Sequence, residues 1–327
     1  GETVQAAITI PSDRRHTRER LETPAPRTGS FALSPAGERA VIVARGEVIN
    51  YPTDEGDPVN LTRTSGSREK NAAWSPDGRW IAFVSDRTGD EQVYLVDQRG
   101  EGEWRQLTDG TFGFTNHLVW SPDSKSILFS DKYLRLNHVD VESGRVTEIA
   151  QSGYDDAWER WGIMDYVWSP DSRWIAYTSQ TGNMHENIWL HDMESGDTET
   201  YISGPGGACR PVPSPDGKTI AFVRRVGPKT ALHLFDTASG AIRLIYDQLE
   251  RDMQEAWAIH GVYPAFAWTP NAQSIVVWSG GKIRRVDVET GDDEAIPFHI
   301  KDTRSIVRRL RFPVDVAPNE FDVKMLR

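Results

Sequence analysis

The sequence predicts an all-β fold, a six-bladed β-propeller of four-stranded antiparallel blades. A pentapeptide recurs along the chain. Trp74-Ser75-Pro76-Asp77-Gly78 returns as Trp120-Ser121-Pro122-Asp123-Ser124 and Trp168-Ser169-Pro170-Asp171-Ser172. Weaker copies are Leu33-Ser34-Pro35-Ala36-Gly37, Pro213-Ser214-Pro215-Asp216-Gly217 and Trp268-Thr269-Pro270-Asn271-Ala272. The Ser/Thr positions, 34, 75, 121, 169, 214 and 269, lie 41 to 55 residues apart, which is the period of a propeller blade. Between copies the text reads as short strands separated by turn residues.

Each unit accounts for its elements in order. A first strand ends at the Ser-Pro, where proline removes no ladder donor. Asp-Gly or Asp-Ser then accepts the backbone angles of a tight reversal. A second strand follows, such as Trp80-Ile81-Ala82-Phe83-Val84 or Ile220-Ala221-Phe222-Val223, apolar throughout as in a strand covered on both faces. A third alternates and stops at aspartate, as in Val93-Tyr94-Leu95-Val96-Asp97 and Leu232-His233-Leu234-Phe235-Asp236. Turns such as Ser143-Gly144 and Ser239-Gly240 lead to a short polar fourth strand, for example Arg105-Gln106-Leu107-Thr108. A polar outer strand avoids pairing with other chains. Trp80, Trp174 and Trp278 are expected to pack between blades.

Composition narrows the function classes. The 327 residues carry 37 Lys+Arg against 48 Asp+Glu, a net charge of -11. Such a chain repels phosphate, so nucleic acid is not an expected partner. The apolar runs are far shorter than the roughly 20 residues of a membrane span. The single cysteine, Cys209, excludes an intrachain disulfide or a cysteine-cluster zinc site; a small buried thiol is the expectation.

The ring is expected to be one domain over 1–327. Residues 1–29 would supply a closing strand and connector, with Val4 to Ile10 added at the edge of the last blade, and 301–327 a C-terminal connector and tail. Gly1-Glu2-Thr3 does not begin a charged-then-apolar leader.

The Trp-Ser-Pro-Asp-Gly repeat resembles the TolB-like propeller family. Residues from about Ile8 to Ile202 resemble the first propeller of tricorn-type proteases, through Ile10-Pro11-Ser12-Asp13-Arg14-Arg15, Arg68-Glu69-Lys70-Asn71 and Ser130-Asp131-Lys132. From about Gly204 onward the chain resembles the propeller of periplasmic amidohydrolases, through Gly206-Gly207-Ala208-Cys209-Arg210-Pro211 and His260-Gly261-Val262-Tyr263-Pro264. These resemblances imply a hybrid joined near 203–207, natural or engineered, and a periplasmic or secreted location, with the cytoplasm as the alternative. They also imply catalytic portions, a serine-protease domain or a histidine-rich metal barrel, to which nothing in this text corresponds. Catalysis by this chain alone is therefore not the leading expectation.

In a propeller the connectors between blades line one mouth of the channel, and here they hold the least repetitive chemistry. Arg68, Asn71, His117, Trp158, Arg160, Trp161, Asp165, Arg210, Arg251, Trp257 and Tyr263 are the candidate ligand-binding residues. Aromatics interleaved with both signs of charge suit a polar pocket with stacking walls. The same charges, with Glu69 and Glu255, could instead satisfy one another in a structural network. His260, with Glu255 and Asp252 nearby, is the candidate acid–base set, or with His117 a metal set, although the spacing matches no metal motif. No cofactor is expected beyond calcium or water in the channel, and no loop has an ordered Asp-rich calcium pattern.

Three readings follow. The first is a non-catalytic propeller binding a peptide, a protein segment or a small polar ligand at the channel mouth. The second is a small-molecule hydrolase or lyase using His260 in that mouth. The third is a scaffold or chimeric propeller with no ligand.

Overall fold

The computed structural model describes residues 28–64, 66–153, 165–180, 186–250 and 264–299. Their fold is a six-bladed β-propeller, each blade a four-stranded antiparallel sheet with its strands in chain order. Blade 1 is β1 to β4 (Thr28–Leu33, Arg39–Ala44, Glu47–Pro52, Val59–Asn60), and blade 2 is β5 to β8 (Glu69–Trp74, Trp80–Ser85, Gln92–Asp97, Arg105–Gln106). Blade 3 is β9 to β12 (Val119–Trp120, Ser126–Ser130, Arg135–Asp140, Val146–Gln151), and blade 4 is β13 to β16 (Tyr166–Trp168, Trp174–Gln180, Glu186–Asp192, Thr198–Ile202). Blade 5 is β17 to β20 (Cys209–Pro213, Thr219–Val226, Lys229–Asp236, Ile242–Tyr246), and blade 6 is β21 to β24 (Phe266–Trp268, Ser274–Ser279, Lys282–Asp287, Asp293–Ala295). The chain divides into two compact units, Gly1–Ala295, which holds every blade, and Ile296–Arg327.

The repeated motif is a device for locking the first hairpin. In blade 2 Ser75 Oγ accepts from Trp80 N at 2.9 Å and donates to Asp77 Oδ1 at 2.5 Å. Asp77 Oδ1 also accepts from Arg79 N at 3.0 Å. Blades 3, 4 and 5 repeat this arrangement at Ser121/Asp123, Ser169/Asp171 and Ser214/Asp216. The side chains thus satisfy backbone donors that a tight turn leaves open. The aspartate ending the third strand of blades 2 to 6 does the same for the next turn: for example, Asp140 Oδ1 accepts from Ser143 N, Asp236 Oδ1 from Ser239 N and Asp287 Oδ1 from Thr290 N.

The core lies between blades. Val41, Val43 and Val48 of blade 1 pack on Trp74, Phe83 and Tyr94 of blade 2. Val84, Val93 and Leu95 of blade 2 pack on Trp120, Ile127 and Phe129 of blade 3. Equivalent clusters join blades 3 and 4, 4 and 5, and 5 and 6. Among the described residues no cluster joins blade 6 to blade 1. Phe31 and Leu33 on β1 are 73% and 58% exposed, and Trp278 on β22 is 44% exposed. Trp80 and Trp174 pack between blades as expected; Trp278 is exposed and belongs to none of the buried interblade clusters among the described residues. The last blade takes its fourth strand from Asp293–Ala295, while Val4 to Ile10 lies outside the described residues. Cys209 is fully buried among Ala221, Val223 and Leu232.

Candidate functional site

Counted back from each motif, the innermost strands carry a matched set. Asn71, His117, Asp165 and Arg210 each stand three residues before the Trp or Pro that precedes the motif Ser. Four consecutive blades thus carry a polar residue at one position of the repeat. Asn71 and Arg210 have φ of 53° and 60°, in the left-handed region that side chains other than glycine seldom adopt. Both sit at register shifts, between Lys70 and Ala73 and between Cys209 and Val212. A bulge there re-aims a side chain out of the strand alternation.

These residues tie successive blades together. Asn71 Nδ2 donates to Thr115 O at 3.3 Å. Tyr166 OH donates to His117 O at 2.5 Å and accepts from Ser130 N at 3.2 Å; burial pushes its phenol well above the ordinary value of 10.0. Arg210 Nη1 pairs with Asp165 Oδ1 at 3.0 Å, the carboxylate almost wholly buried and the guanidinium partly exposed. Asp165 Oδ2, Arg210 Nε and Thr115 Oγ1 are buried without hydrogen-bond partners, an unusual state for buried polar atoms.

The neighbouring charges serve the scaffold. Lys70 Nζ meets Glu91 Oε1 at 2.8 Å and lies 3.5 Å from the Phe114 ring centroid. Burial lowers the Lys70 pKa against the opposing pull of Glu91. Glu69 is buried and accepts three hydroxyl bonds, from Thr64, Ser67 and Ser85. Arg68 is exposed, and its backbone N–H donates to Asp86.

Of the sequence candidates, Arg68, Asn71, His117, Asp165 and Arg210 lie in described connectors and inner strands. Trp158, Arg160, Trp161, Arg251, Asp252, Glu255, Trp257, His260 and Tyr263 lie outside the described residues, so the acid–base set of His260, Glu255 and Asp252 does too. Among the described residues no three His, Cys, Asp or Glu side chains are grouped to hold a metal ion. His138, His191 and His233 stand on third strands; burial lowers each pKa below 6.5. Sequence reasoning missed a cleft of about 500 Å³ between blades 4 and 5. Its signal was in the repeat: Pro213 stands where blades 2, 3, 4 and 6 have Trp.

Comparison with known proteins gives a family and several relatives. Residues 28–259 match the family described as the tricorn protease second beta propeller domain. The chain is 31% identical to the uncharacterized peptidase YuxL of Bacillus subtilis over 173 residues, 53% of this chain and 24% of that one. It is 26% identical to a tricorn-like protease C-terminal subunit of Sulfurisphaera tokodaii over 259 residues, 79% of this chain and 27% of the relative. It therefore spans about a quarter of these curated relatives. Among solved structures, an oligogalacturonate lyase in complex with manganese superposes with a TM-score of 0.63 at 12% identity, over 81% of this chain and 78% of the other. TolB from Acinetobacter baumannii superposes with a TM-score of 0.54 at 21% identity, over 82% and 62%. Both structural likenesses concern the fold alone.

Proposed function

Because the chain belongs to the family of the tricorn protease second beta propeller domain, we propose that it is a non-catalytic binding propeller whose channel mouth takes a peptide or protein segment. The observation that carries this reading is the set of polar residues Asn71, His117, Asp165 and Arg210 at one position of the repeat, with Asp165 Oδ2 and Arg210 Nε buried and unbonded among them. A peptide backbone or terminus offers both donors and acceptors, and would satisfy groups of both signs. Several relatives are named as peptidases or proteases, which fits a propeller that handles chain segments next to chemistry performed elsewhere. The periplasmic location implied by the propeller resemblance belongs to the same reading, and recovery of the protein in osmotic-shock fluid tests it.

Calorimetry with short peptides bearing free termini tests the binding. Asn71→Gly keeps the left-handed backbone and deletes the amide; Asp165→Asn removes one charge of the pair. Each is expected to weaken binding about tenfold, roughly 1.4 kcal/mol. Equal affinity in both variants, or no binding to the unaltered chain at about 10 mM peptide, would overturn the reading.

A further inference from the structure

The blade 4–blade 5 interface lacks three contacts that recur at other seams, and together their loss leaves a shaped cleft. Elsewhere an indole fills the seam next to the motif. Trp120 Nε1 donates to Ala73 O, Trp168 Nε1 to Val119 O and Trp268 Nε1 to Val212 O, at 3.2, 3.3 and 2.9 Å. Trp120 shares one buried cluster with Trp80, Ala82 and Leu95 of the preceding blade. In blade 5 the residue is Pro213. The equivalents of that surface, Trp174, Ala176 and Leu190, line the cleft of about 500 Å³ instead of packing on an indole.

The second departure is in the turn. Ser124 Oγ accepts from Asp77 N and Ser172 Oγ from Asp123 N, at 3.0 and 3.1 Å, which clips adjacent turns together. At the blade 4–blade 5 seam the residue is Gly217, which has no side chain with which to clip Asp171, and Ala272 likewise offers no hydroxyl at the blade 5–blade 6 seam.

The third departure reverses a charge. Arg105, opposite Leu95 on the outer strand of blade 2, lies 6.0 Å from the Trp80 ring and donates to Val141 O of blade 3. Arg243, opposite Leu234 in blade 5, donates to Val288 O of blade 6. Opposite Leu190 in blade 4 stands Glu199. The counterpart of Val141 and Val288, the residue after the strand-ending aspartate, is Thr237. Both Glu199 and Thr237 line the cleft, as do Asp171, Asp216 and Tyr201. Hydroxyls of Ser169 and Ser214 hold the two aspartates below the usual carboxylate range, so both are charged at neutral pH. Among the described residues Glu199 makes no ion pair; Lys218 Nζ, largely exposed, lies 3.9 Å from Asp216 Oδ2.

We propose that this cleft binds the arginine side chain of a peptide segment, whose guanidinium takes the place that Arg105 occupies at the blade 2–blade 3 seam and Arg243 at the blade 5–blade 6 seam. The aliphatic stem lies on Leu190 and Ala176. The planar head stacks on Trp174 or Tyr201, pairs with Glu199 and donates toward Thr237 O. The net charge of -11 favours such a guest. The site is separate from the channel mouth and does not rest on the reading proposed for it.

Indole ¹⁵N–¹H spectra of the full chain test the proposal, with Trp174 assigned by Trp174→Phe. Acetyl-Ala-Arg-Ala-amide is expected to shift the Trp174 resonance saturably, and the neutral citrulline peptide to bind at least about tenfold more weakly. Glu199→Gln is expected to weaken the arginine peptide by about tenfold. Pro213→Trp supplies the missing indole, and is expected to abolish the response while keeping or raising the thermal midpoint. Asn71→Gly is expected to leave it unchanged, which separates this site from the channel mouth. Three results would each overturn the proposal: equal binding of the citrulline peptide, an unaltered response in Glu199→Gln, or no shift at about 20 mM peptide. Should Pro213→Trp fail to fold, Glu199→Gln alone decides.

Discussion

Blades 1 and 2 are built from the same motif, yet among the described residues one has both faces covered and the other does not. Trp74 and Leu33 hold the same place, directly before the motif Ser. Trp74 is buried among Val41, Val43 and Phe83, whereas Leu33 lies open on β1. Trp278 repeats the contrast at the other end of the series, since its counterpart in blade 2, Val84, is fully buried. A blade is therefore not a folding unit with a core of its own. Its apolar faces become core only when a neighbour arrives, as in repeat proteins whose stability sits in nearest-neighbour interfaces.

The largest expected effect follows directly. Trp74→Ala removes an indole from a filled seam and is expected to cost about 3–5 kcal/mol in chemical denaturation. Leu33→Ala, at the same place in blade 1, is expected to stay within about 0.5 kcal/mol. Equal losses in the two variants would show that the face of blade 1 is covered in solution, and the contrast would collapse.

The sequence carries most of this fold because motif and turn chemistry are local. Ser75, Asp77 and their copies satisfy backbone groups only a few residues away, so the pentapeptide announces each hairpin wherever it occurs. What a strand meets across a seam is not local. Nothing in Ile275-Val276-Val277-Trp278 distinguishes the half that meets blade 5 from the half that joins no interblade cluster among the described residues. The candidate site shows the same division. Asn71, His117, Asp165 and Arg210 were legible as unusual connector residues, but their shared place in the repeat emerges only when the first strands of the blades are aligned. The cleft between blades 4 and 5 left a single trace in the repeat, Pro213 in the place of Trp. Glu199 carried no signal until its partner Leu190 was known.

A smaller effect is expected at the inner edge of the covered seams. Arg210→Met strands the buried Asp165 carboxylate and is expected to cost about 3 kcal/mol, towards the low end for a buried pair because the guanidinium is partly exposed. The double variant Asp165→Asn/Arg210→Met is expected to recover part of that loss. Urea denaturation of the two variants measures the difference. Full additivity would mean that the pair does not couple blades 4 and 5.

Acid should loosen the covered seams through their histidines. His138 packs its ring 6.0 Å from that of Trp168 and bonds Ser126 Oγ at 2.8 Å. Burial lowers its pKa below 6.5, with Asp140 opposing. The unfolded chain then takes up the proton before the folded one does. The stabilisation is complete above about pH 6.5 and is lost as pH falls through the folded-state value. His191 and His233 are shifted in the same direction by the same cause. His138→Gln is expected to flatten the fall in urea midpoint between about pH 7 and 5. An unchanged slope would remove His138 from the account.

The smallest effect concerns the turns themselves. The fifth motif residue is left-handed in all six blades, with φ of 75° at Gly37, 72° at Gly78, 62° at Ser124 and Ser172, 71° at Gly217 and 57° at Ala272. Glycine adopts this conformation without steric cost. Ser124 and Ser172 offset the cost by accepting a hydrogen bond from the preceding blade. Ala272 has no side-chain polar atom and gains nothing in return. A left-handed non-glycine residue costs about 1–2 kcal/mol, and glycine in its place adds about 0.4–1 kcal/mol of unfolded-state entropy to be lost on folding. Ala272→Gly is therefore expected to stabilise the chain by about 0.5 kcal/mol, a rise in Tm of about 1–2 °C. Ser124→Gly, which relieves the same strain but breaks the clip to Asp77, is expected to give no gain. A gain in both variants would mean that the serine clips do not hold the blade seams, and that the turn at Gly217 is no looser than the rest.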